Sequence, residues 1–590
     1  MPYDIVYTSY MELTIGPLGF SIPTQTLSSC PEVNLSPLEV SRWCKDLPVA
    51  DIGLTTKKLF HVLSDCNKVA LEPNDRFQIL ELFSTPLHII FRSLHKHYTH
   101  QTKRLTKHQL IIANLAQTLQ IEMSNGYKLV VEQIMQKSST EIKKTLLPIA
   151  LQRIVHHINQ IIFHNYQLYS ALPKGTWKEL HLAYKLAEAN QTNSILDNDY
   201  KRTLLFSISK PYYWNQSEQI AFYKATETWA DLISLLPNVP ENSESSIYVI
   251  NLEQDNSPIL MTPESKNISA SYKVMDVNPV ISRVKSLIEI IEPNELKAKI
   301  AHIHEAEYGV SLPQLKGLLS EWSSKIKRVH ERDPSSESVR ICVGLRSTHY
   351  HLNEQKEFRT GDSEEPTNNS LLALPTLTVQ EDETDISESS SPINTPQESE
   401  AFTNYPLYAC TVTNKTSFGY GLLWPDNTYP PIQGGELIGL QHQKEDTSTW
   451  EICKIRWLQH STENEFRIGV EILTKSAIPS AIQLVEEGKA AGINLRCLLL
   501  ESSLIVPTLP FKSGNRVYVT PEHETTKDFE LTELLDATGS YKQFGFTIRR
   551  SSAEKGAALV SKAEQTPAAE LNPSETQSND DGFDSVWSHL

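Results

Sequence analysis

Two arginines spaced four residues apart, Arg328 and Arg332, are well suited to hold an anionic ligand. A planar guanidinium group donates two parallel hydrogen bonds and stays charged, so it suits phosphate oxygens and also the adjacent O6 and N7 acceptors of guanine. The four-residue spacing lets both groups approach one ligand from the same side. The alternative is that both arginines simply end a helix, where the helix dipole favours cations.

A second candidate lies further along the chain, where Asn414, Thr416 and Gly419 form an Asn-x-Thr-x-x-Gly sequence. Asn and Thr side chains fold turns by hydrogen bonding to neighbouring backbone groups, and glycine permits a positive φ or a close approach to the backbone. The same polar atoms can contact a ligand. An ordinary turn between two strands is the alternative interpretation.

Strand-like segments surround both motifs. These short runs are rich in β-branched and aromatic residues and are bounded by Gly, Pro, Asn or Asp, a pattern that predicts a small antiparallel barrel. The segments are Ser338–Leu345, Val412–Trp424, Gly434–Leu440, Trp450–Leu458 and Phe466–Leu473. The arginine pair precedes the first segment, and the Asn-x-Thr-x-x-Gly sequence lies inside the second.

Together, the motifs and strands resemble the PilZ domain, which binds cyclic di-GMP in bacteria. The resemblance covers roughly residues 328–473 with a long insertion. The ligand-binding residues that it implies are Arg328, Arg332, Asn414, Thr416 and Gly419. The secondary ligand candidates are Arg340 and Arg346. The third motif position is usually Ser in the family, so Thr416 departs from the pattern by adding a methyl group while it keeps the hydroxyl.

Apolar residues at three- and four-residue intervals predict helices before the barrel, and alternating patterns predict strands after it. The fold class is therefore multidomain α+β, with an α-helical N-terminal half, a PilZ-like antiparallel β-barrel and a small C-terminal β-unit. The predicted N-terminal segments are an irregular leader (1–40), an α-helical domain (41–236), a loop-rich insertion (237–279) with a possible strand over Ile247–Leu252, and a helical connection ending in the arginine pair (280–332). The predicted C-terminal segments are the barrel (328–475) with a disordered insertion (353–402), the β-unit (476–550) preceded by a short helix within 478–492, and a disordered tail (551–590).

The insertion and the tail have the composition of disordered segments. Residues 353–402 are rich in Asp, Glu, Ser and Thr, so they bury too little apolar surface to offset the entropy lost on ordering. A flexible closed loop costs little extra free energy as it lengthens, so a barrel can tolerate this insertion.

Two helical segments carry conspicuous aromatic residues. Trp177, Leu180 and Tyr184 fall on one face of a predicted helix, and the segment 211–214 reads Pro-Tyr-Tyr-Trp between two further helices. Such aromatic residues pack in a core more often than they form a site. The functional alternative is a groove for a partner helix.

Composition excludes several classes of protein. The 590 residues carry a formal net charge of −17, which argues against general nucleic-acid binding because that needs basic surface. The seven cysteines include no Cys-x-x-Cys pair, so we expect reduced thiols in a cytoplasmic protein. We see no secretory signal and no apolar stretch approaching the ~20 residues that span a bilayer.

The sequence offers no recognisable catalytic or metal-binding motif. The histidines at 95, 97, 100, 156, 157 and 164 lack a matching set of Cys or carboxylate ligands, so we predict no metal site. Phosphate-binding Gly-Lys loops and nucleophile elbows are absent. We therefore predict that the protein is not an enzyme and needs no cofactor.

These observations predict a bacterial receptor whose barrel binds cyclic di-GMP and whose helical half relays the signal to an unidentified protein partner. The alternative is a scaffold or adaptor protein with a degenerate, non-binding PilZ-like barrel.

Overall fold

The computed structural model describes residues 13–99, 105–137, 140–239, 247–261, 271–291, 307, 309–323, 333–358, 405–425, 430, 432–443, 448–460, 466–486, 489–522 and 524–549. Arg328 and Arg332 lie outside these ranges, as do most of the predicted disordered insertion and the whole predicted tail.

The N-terminal half is helical, as predicted. Its helices are α1 (Pro37–Lys45), α2 (Ile52–Lys68), α3 (Pro73–Tyr98), α4 (Lys107–Lys137), α5 (Thr140–Gln167), α6 (Thr176–Ala189), α7 (Asp197–Ile208), α8 (Gln216–Trp229), α9 (Asn278–Ile291) and α10 (Leu312–Ser323). Local signals fix several starts: proline occupies the first turn of α1 and α3, and Asn215 with Glu218 forms a capping box on α8. A hairpin of β1 (Leu13–Ile15) and β2 (Ser21–Pro23) inserts Phe20 into the same core.

The segment 237–279, predicted to be a loop-rich insertion with a possible strand over Ile247–Leu252, contributes three strands to a small sheet, and β4 lies where that strand was predicted. Its strands are β3 (Ser234–Leu236), β4 (Ile247–Asn251), β5 (Ile259–Leu260) and β6 (Tyr272–Asp276), in the order β3-β6-β4-β5. Tyr248 and Ile250, two residues apart on β4, both pack into the core of the helical half. This burial stabilises a strand whose polar flanking sequence suggested a loop.

A closed antiparallel barrel follows, which we call the middle barrel. Its elements are β7 (Asp333–Pro334), β8 (Ser338–Val343), helix α11 (Gly344–Leu352), β9 (Tyr408–Thr416), β10 (Gly419–Trp424), β11 (Leu437–Gln443), β12 (Ser448–His460) and β13 (Phe466–Thr474). The strand order is β10-β13-β12-β11-β8-β9, and pairing of β9 with β10 closes the ring. The short strand β7 also pairs with β9, at Asn414 and Lys415 near its C-terminal end. Val339, Leu422, Ile455 and Ile468 are among the residues that fill the interior.

The C-terminal β-unit is a second closed barrel. Its strands are β14 (Ile478–Glu486), β15 (Lys489–Leu499), β16 (Ser503–Val506), β17 (Arg516–Pro521), β18 (Lys527–Ala537) and β19 (Lys542–Ile548), in the order β14-β15-β16-β19-β18-β17. The predicted short helix over 478–492 is wrong. Ile482 and Leu484 alternate into the barrel core while β14 pairs with both β15 and β17, so sheet pairing overrides the weak helical spacing.

The structure describes the first six residues of the predicted disordered insertion, 353–358, which follow α11. Tyr405 donates its hydroxyl hydrogen to Glu357 at 2.8 Å, and the ring of Phe358 lies 5.3 Å from that of His349. Residues 359–404 lie outside the described residues.

Within the described ranges, no helix is both long and apolar enough to span a bilayer. The same ranges hold no group of three or more His, Cys, Asp or Glu side chains arranged to bind a metal ion.

Candidate ligand-binding site

The shortest strand of the middle barrel, β7, pairs with the strand that carries Asn414. Asp333 pairs with Lys415, and Pro334 pairs with Asn414. Asp333 is the residue that follows Arg332 in the chain. The described residues that come directly after the arginine pair therefore lie beside Asn414, although a long insertion separates the two motifs in sequence.

A β-bulge turns Asn414 toward the outer face of the barrel. The register of β9 against β10 shifts so that Leu422 pairs with Val412 while Gly421 pairs with Asn414, leaving Thr413 as the extra residue. Val412 faces the interior. Without the extra residue, strand alternation would direct Asn414 inward as well.

Strand register arranges the outer face of β9, β10, β13 and β12 in three rows, because directly paired residues share a face. The first row is Thr416, Gly419, Glu471 and Lys454. The second row is Asn414, Gly421, Gly469 and Trp457. The third row is Thr411, Leu423, Arg467 and Gln459. The three motif residues thus occupy neighbouring positions in the first two rows.

The Asn414 amide lies directly over Gly421. A Cβ added to Gly421 would lie 2.7 Å from Asn414 Nδ2 and 2.9 Å from Oδ1. Nδ2 donates to the Thr413 hydroxyl at 3.3 Å, whereas Oδ1 is buried and has no hydrogen-bond partner in the described part of the chain. An unpaired buried acceptor costs about 1–3 kcal/mol, so this oxygen is suited to accept an N–H donor from a ligand.

Thr416 and Gly419 form the turn that the sequence indicated. The Thr416 hydroxyl accepts a hydrogen bond from the Phe418 N–H and donates one to the Gly419 carbonyl, both at 3.3 Å. Gly419 is the first residue of β10 and pairs with Thr416 and Glu471. The hydroxyl hydrogen is therefore used within the turn, and only acceptor capacity remains for a ligand.

Comparison with known proteins identifies the barrel. Three family models match consecutive regions, described as the N-terminal domain (residues 38–241), the middle PilZ domain (247–479) and the C-terminal β-barrel domain (480–549) of the cyclic-di-GMP receptor FimW. The middle region of this chain is a PilZ domain. The chain is homologous to the cyclic-di-GMP receptor FimW of Pseudomonas aeruginosa, which is 25% identical over 620 aligned positions that cover 97% of this chain and 99% of that receptor. No solved structure matches the chain.

The two secondary candidates lie on β8 and α11 of the PilZ domain. Arg340 is exposed on β8 and pairs with Ala409, five residues before Asn414 on β9, a separation of roughly 17 Å along the strand. Arg346 lies on α11, where its Nε and Nη2 both donate to the Tyr405 hydroxyl at 3.2 Å.

Sequence reasoning missed four residues that share the outer face of the PilZ barrel with Asn414: Gly421, Gly469, Trp457 and Arg467. Alternation along β13 does place Arg467 and Gly469 outward, since Phe466 and Ile468 are interior. Their alignment with Asn414 depends on bulges in β9 and β12, which have no clear sequence signal.

A polar network lies inside the PilZ barrel close to the motif turn. His442 Nδ1 is 2.9 Å from Glu337 Oε1, and its Nε2 is 3.4 Å from Glu451 Oε2. Tyr420, which follows Gly419, donates its hydroxyl hydrogen to Glu451 at 2.8 Å. The hydrogen bond to Glu451 is the main cause that raises the pKa of His442; burial opposes it, and Glu337 adds to the rise.

This network predicts that stability depends on pH through His442. Because the folded-state pKa is raised above the unfolded value of about 6.5, protonated His442 stabilises the fold fully below that pH, and the contribution is lost as pH rises through the folded-state pKa. We expect wild type to lose its advantage over His442→Gln as pH rises above about 6.5. Urea unfolding of both proteins across this range measures the difference, and a constant difference would contradict the prediction.

The aromatic segment 211–214 packs on the PilZ domain. Tyr212 and Tyr213 contact Trp457, and the guanidinium carbon of Arg456 lies 5.6 Å from the centre of the Tyr213 ring. The Tyr169 side chain joins the core of the PilZ barrel, and its carbonyl accepts a hydrogen bond from His460 N–H at 2.8 Å. The packing interpretation of this segment is therefore confirmed.

Proposed function

We propose that this protein is a cyclic di-GMP receptor that binds the dinucleotide on the outer face of β9 and β10 and catalyses no reaction. The observation that supports the proposal is the pairing of β7 with β9, because Asp333, the residue after Arg332, pairs with Lys415, and Pro334 pairs with Asn414. Homology to a cyclic-di-GMP receptor over almost the whole chain supports the same conclusion.

Each site residue has a distinct role in this proposal. Arg328 and Arg332 bind phosphate oxygens or a guanine edge through their planar forks. Asn414 Oδ1, buried without a partner among the described residues, accepts an N–H of guanine. Thr416 holds the turn, and Gly419 allows the ligand to approach the backbone.

The arginine segment also links two domains, which suggests how binding is relayed. α10 packs in the helical core through Leu315, Leu318 and Trp322, and the chain then runs from its end at Ser323 to β7. In this proposal, binding of the dinucleotide to this segment affects the position of α10 as well as the barrel. We propose that the helical half passes this change to a protein partner, since the net charge of −17 disfavours nucleic acid. The free thiols of all seven cysteines suit a cytoplasmic protein.

A specific observation also favours the alternative, a scaffold with a barrel that no longer binds ligand. The Thr416 hydroxyl hydrogen is used within the turn, and Thr416 adds a methyl group at a motif position that is usually Ser in the family. Isothermal titration of the full-length protein with cyclic di-GMP separates the two functions. Saturable heat supports the receptor; no heat and no thermal shift at saturating dinucleotide would leave the scaffold.

Substitution of Asn414 tests its role as an acceptor. Asn414→Ala removes a neutral hydrogen bond and should cost on the order of 1 kcal/mol, about a fivefold loss of affinity for cyclic di-GMP. Thr416→Ser is the control, because it keeps the turn hydroxyl and removes the methyl; it should bind as well as wild type or better. Calorimetry measures both, with melting temperatures checked. Unchanged affinity in Asn414→Ala would remove this residue from the site.

A further inference from the structure

The row that contains Asn414 continues across the PilZ barrel to a residue that touches the helical domain. Asn414 pairs with Gly421, Gly421 with Gly469, and Gly469 with Trp457. Adjacent strands lie about 4.8 Å apart, so the row spans roughly 14 Å. At its far end, Tyr212–Tyr213 of the helical domain packs on the indole of Trp457.

Each glycine of this row is covered by the side chain of its neighbour. The Asn414 amide fills the space over Gly421, where an added Cβ would lie 2.7 Å from Nδ2. The indole of Trp457 fills the space over Gly469, where an added Cβ would overlap Nε1 and lie 2.7 Å from Cδ1. Real Cβ atoms do not make contacts this short, so the two glycines fix where the amide and the indole lie.

The Tyr212–Tyr213 turn is held firmly on the helical side. Lys210, at the start of the turn, has φ of 52° and places its Nζ 2.7 Å from Glu321 of α10. The Tyr212 hydroxyl donates to the Ser170 carbonyl at 2.7 Å. Gly317 of α10 also lies against the Trp214 ring, which an added Cβ would approach to 2.9 Å. α10 therefore supports this turn at the Trp457 end of the row, and β7, the next described strand after α10, pairs with Asn414 at the other end.

We propose that Gly421, Gly469 and Trp457 are positioning residues of the dinucleotide site, and that Trp457 couples the position of the Asn414 amide to the Tyr212–Tyr213 turn. The proposal rests on the binding of cyclic di-GMP proposed above. Coupling between two sites is reciprocal. If the bound dinucleotide shifts the indole against the turn, then a change in the turn must alter affinity for the dinucleotide.

Titration of full-length variants with cyclic di-GMP tests this coupling. Tyr213→Ala leaves the barrel and the ligand-binding groups intact, and we expect affinity to fall about five- to tenfold. Gly469→Ala displaces the indole from the barrel side and should have a similar effect. Trp450→Phe is the matched control: this Trp lies on the same strand but stacks on His351, with ring centres 5.4 Å apart, so its replacement should leave affinity unchanged.

Fluorine NMR supplies a readout that a loss of stability would not mimic. The chain has nine tryptophans, and after 5-fluorotryptophan labelling the resonance missing from Trp457→Phe belongs to Trp457. We expect cyclic di-GMP to shift this resonance in wild type and to shift it less in Tyr213→Ala. Wild-type protein that binds the dinucleotide without moving this resonance, together with unchanged affinity in Tyr213→Ala, would overturn the coupling alone. Wild-type protein that gives no binding heat would overturn the proposed function and this inference with it.

Discussion

Replacing Arg332 with alanine is expected to weaken cyclic di-GMP binding about ten- to a hundredfold, or roughly 1.5–3 kcal/mol. This is the range for a hydrogen bond to a charged group, because the guanidinium would donate to a phosphate or to a guanine edge. β7 pairs with β9 through Asp333 and Pro334, and Asp333 follows Arg332 directly in the chain, which is why Arg332 is the arginine chosen for this test.

Two further variants make the test of Arg332 specific. Arg332→Lys should recover only part of the affinity, because a point charge cannot reproduce the bidentate fork. Arg340→Ala is a matched control, since it removes an exposed arginine of the same barrel that lies roughly 17 Å along β9 from Asn414. Calorimetry should show affinity close to wild type for this control. If Arg332→Ala and Arg340→Ala lost the same amount of affinity for cyclic di-GMP, the loss would reflect the change in net charge and not a defined binding site.

The strands of the PilZ barrel were predictable because their pattern and their turns agree. In the hairpin of β9 and β10, the apolar runs end at a turn closed by the Thr416 hydroxyl. Local turn chemistry and hydrophobic alternation thus favour the same structure, which is when sequence reasoning is most reliable. The predicted helical faces succeeded for a similar reason, since Trp177, Leu180 and Tyr184 are all buried in α6.

Failures occurred where tertiary contacts decide between two local patterns. Residues 478–492 contain apolar residues at both helical and strand spacing, and only the neighbouring strands β15 and β17 select the strand. In the segment around β4 the sequence indicated only one possible strand within a loop-rich region, and the sheet there is stabilised by packing of Tyr248 and Ile250 into the helical core. In neither segment does the local sequence reveal the partner surface that stabilises it.

The candidate site was predictable as a set of motifs but not as a surface. The residue types predicted a turn at Asn414, and the resemblance to the PilZ domain made Asn414 a candidate ligand contact. Its alignment with Gly421, Gly469 and Trp457 required the bulge at Thr413. The position of this bulge depends on how β9 pairs with β10. The contact with Tyr213 required the packing of two domains, which periodicity does not encode.

The helix that leads into the arginine segment provides the second large effect. Trp322 is fully buried near the end of α10, with its ring 6.0 Å from Phe222 and 6.4 Å from Trp229, centre to centre. Trp322→Ala removes one of the largest side chains in the helical core and leaves a cavity that its rigid neighbours cannot fill. Such substitutions lower the free energy of unfolding by about 3–5 kcal/mol. This is a large part of the total free energy of unfolding of a typical domain, which is roughly 5–15 kcal/mol.

Urea unfolding followed by far-ultraviolet circular dichroism measures this loss of stability. The unfolding transition of the helices should move to a lower urea concentration. The two barrels contribute little helical signal, so this transition reports on the helical domain. Trp322→Phe is the matched control, because it retains an aromatic ring against Phe222 and Trp229 and should lose much less. Because the arginine segment follows α10 in the chain, the folded fraction of Trp322→Ala should bind cyclic di-GMP more weakly than Trp322→Phe does. A free energy of unfolding of the helical domain in Trp322→Ala that stays within about 1 kcal/mol of wild type would contradict this role of Trp322. Trp322 would then not be the residue that anchors α10, and the relay through this helix would lose its structural basis.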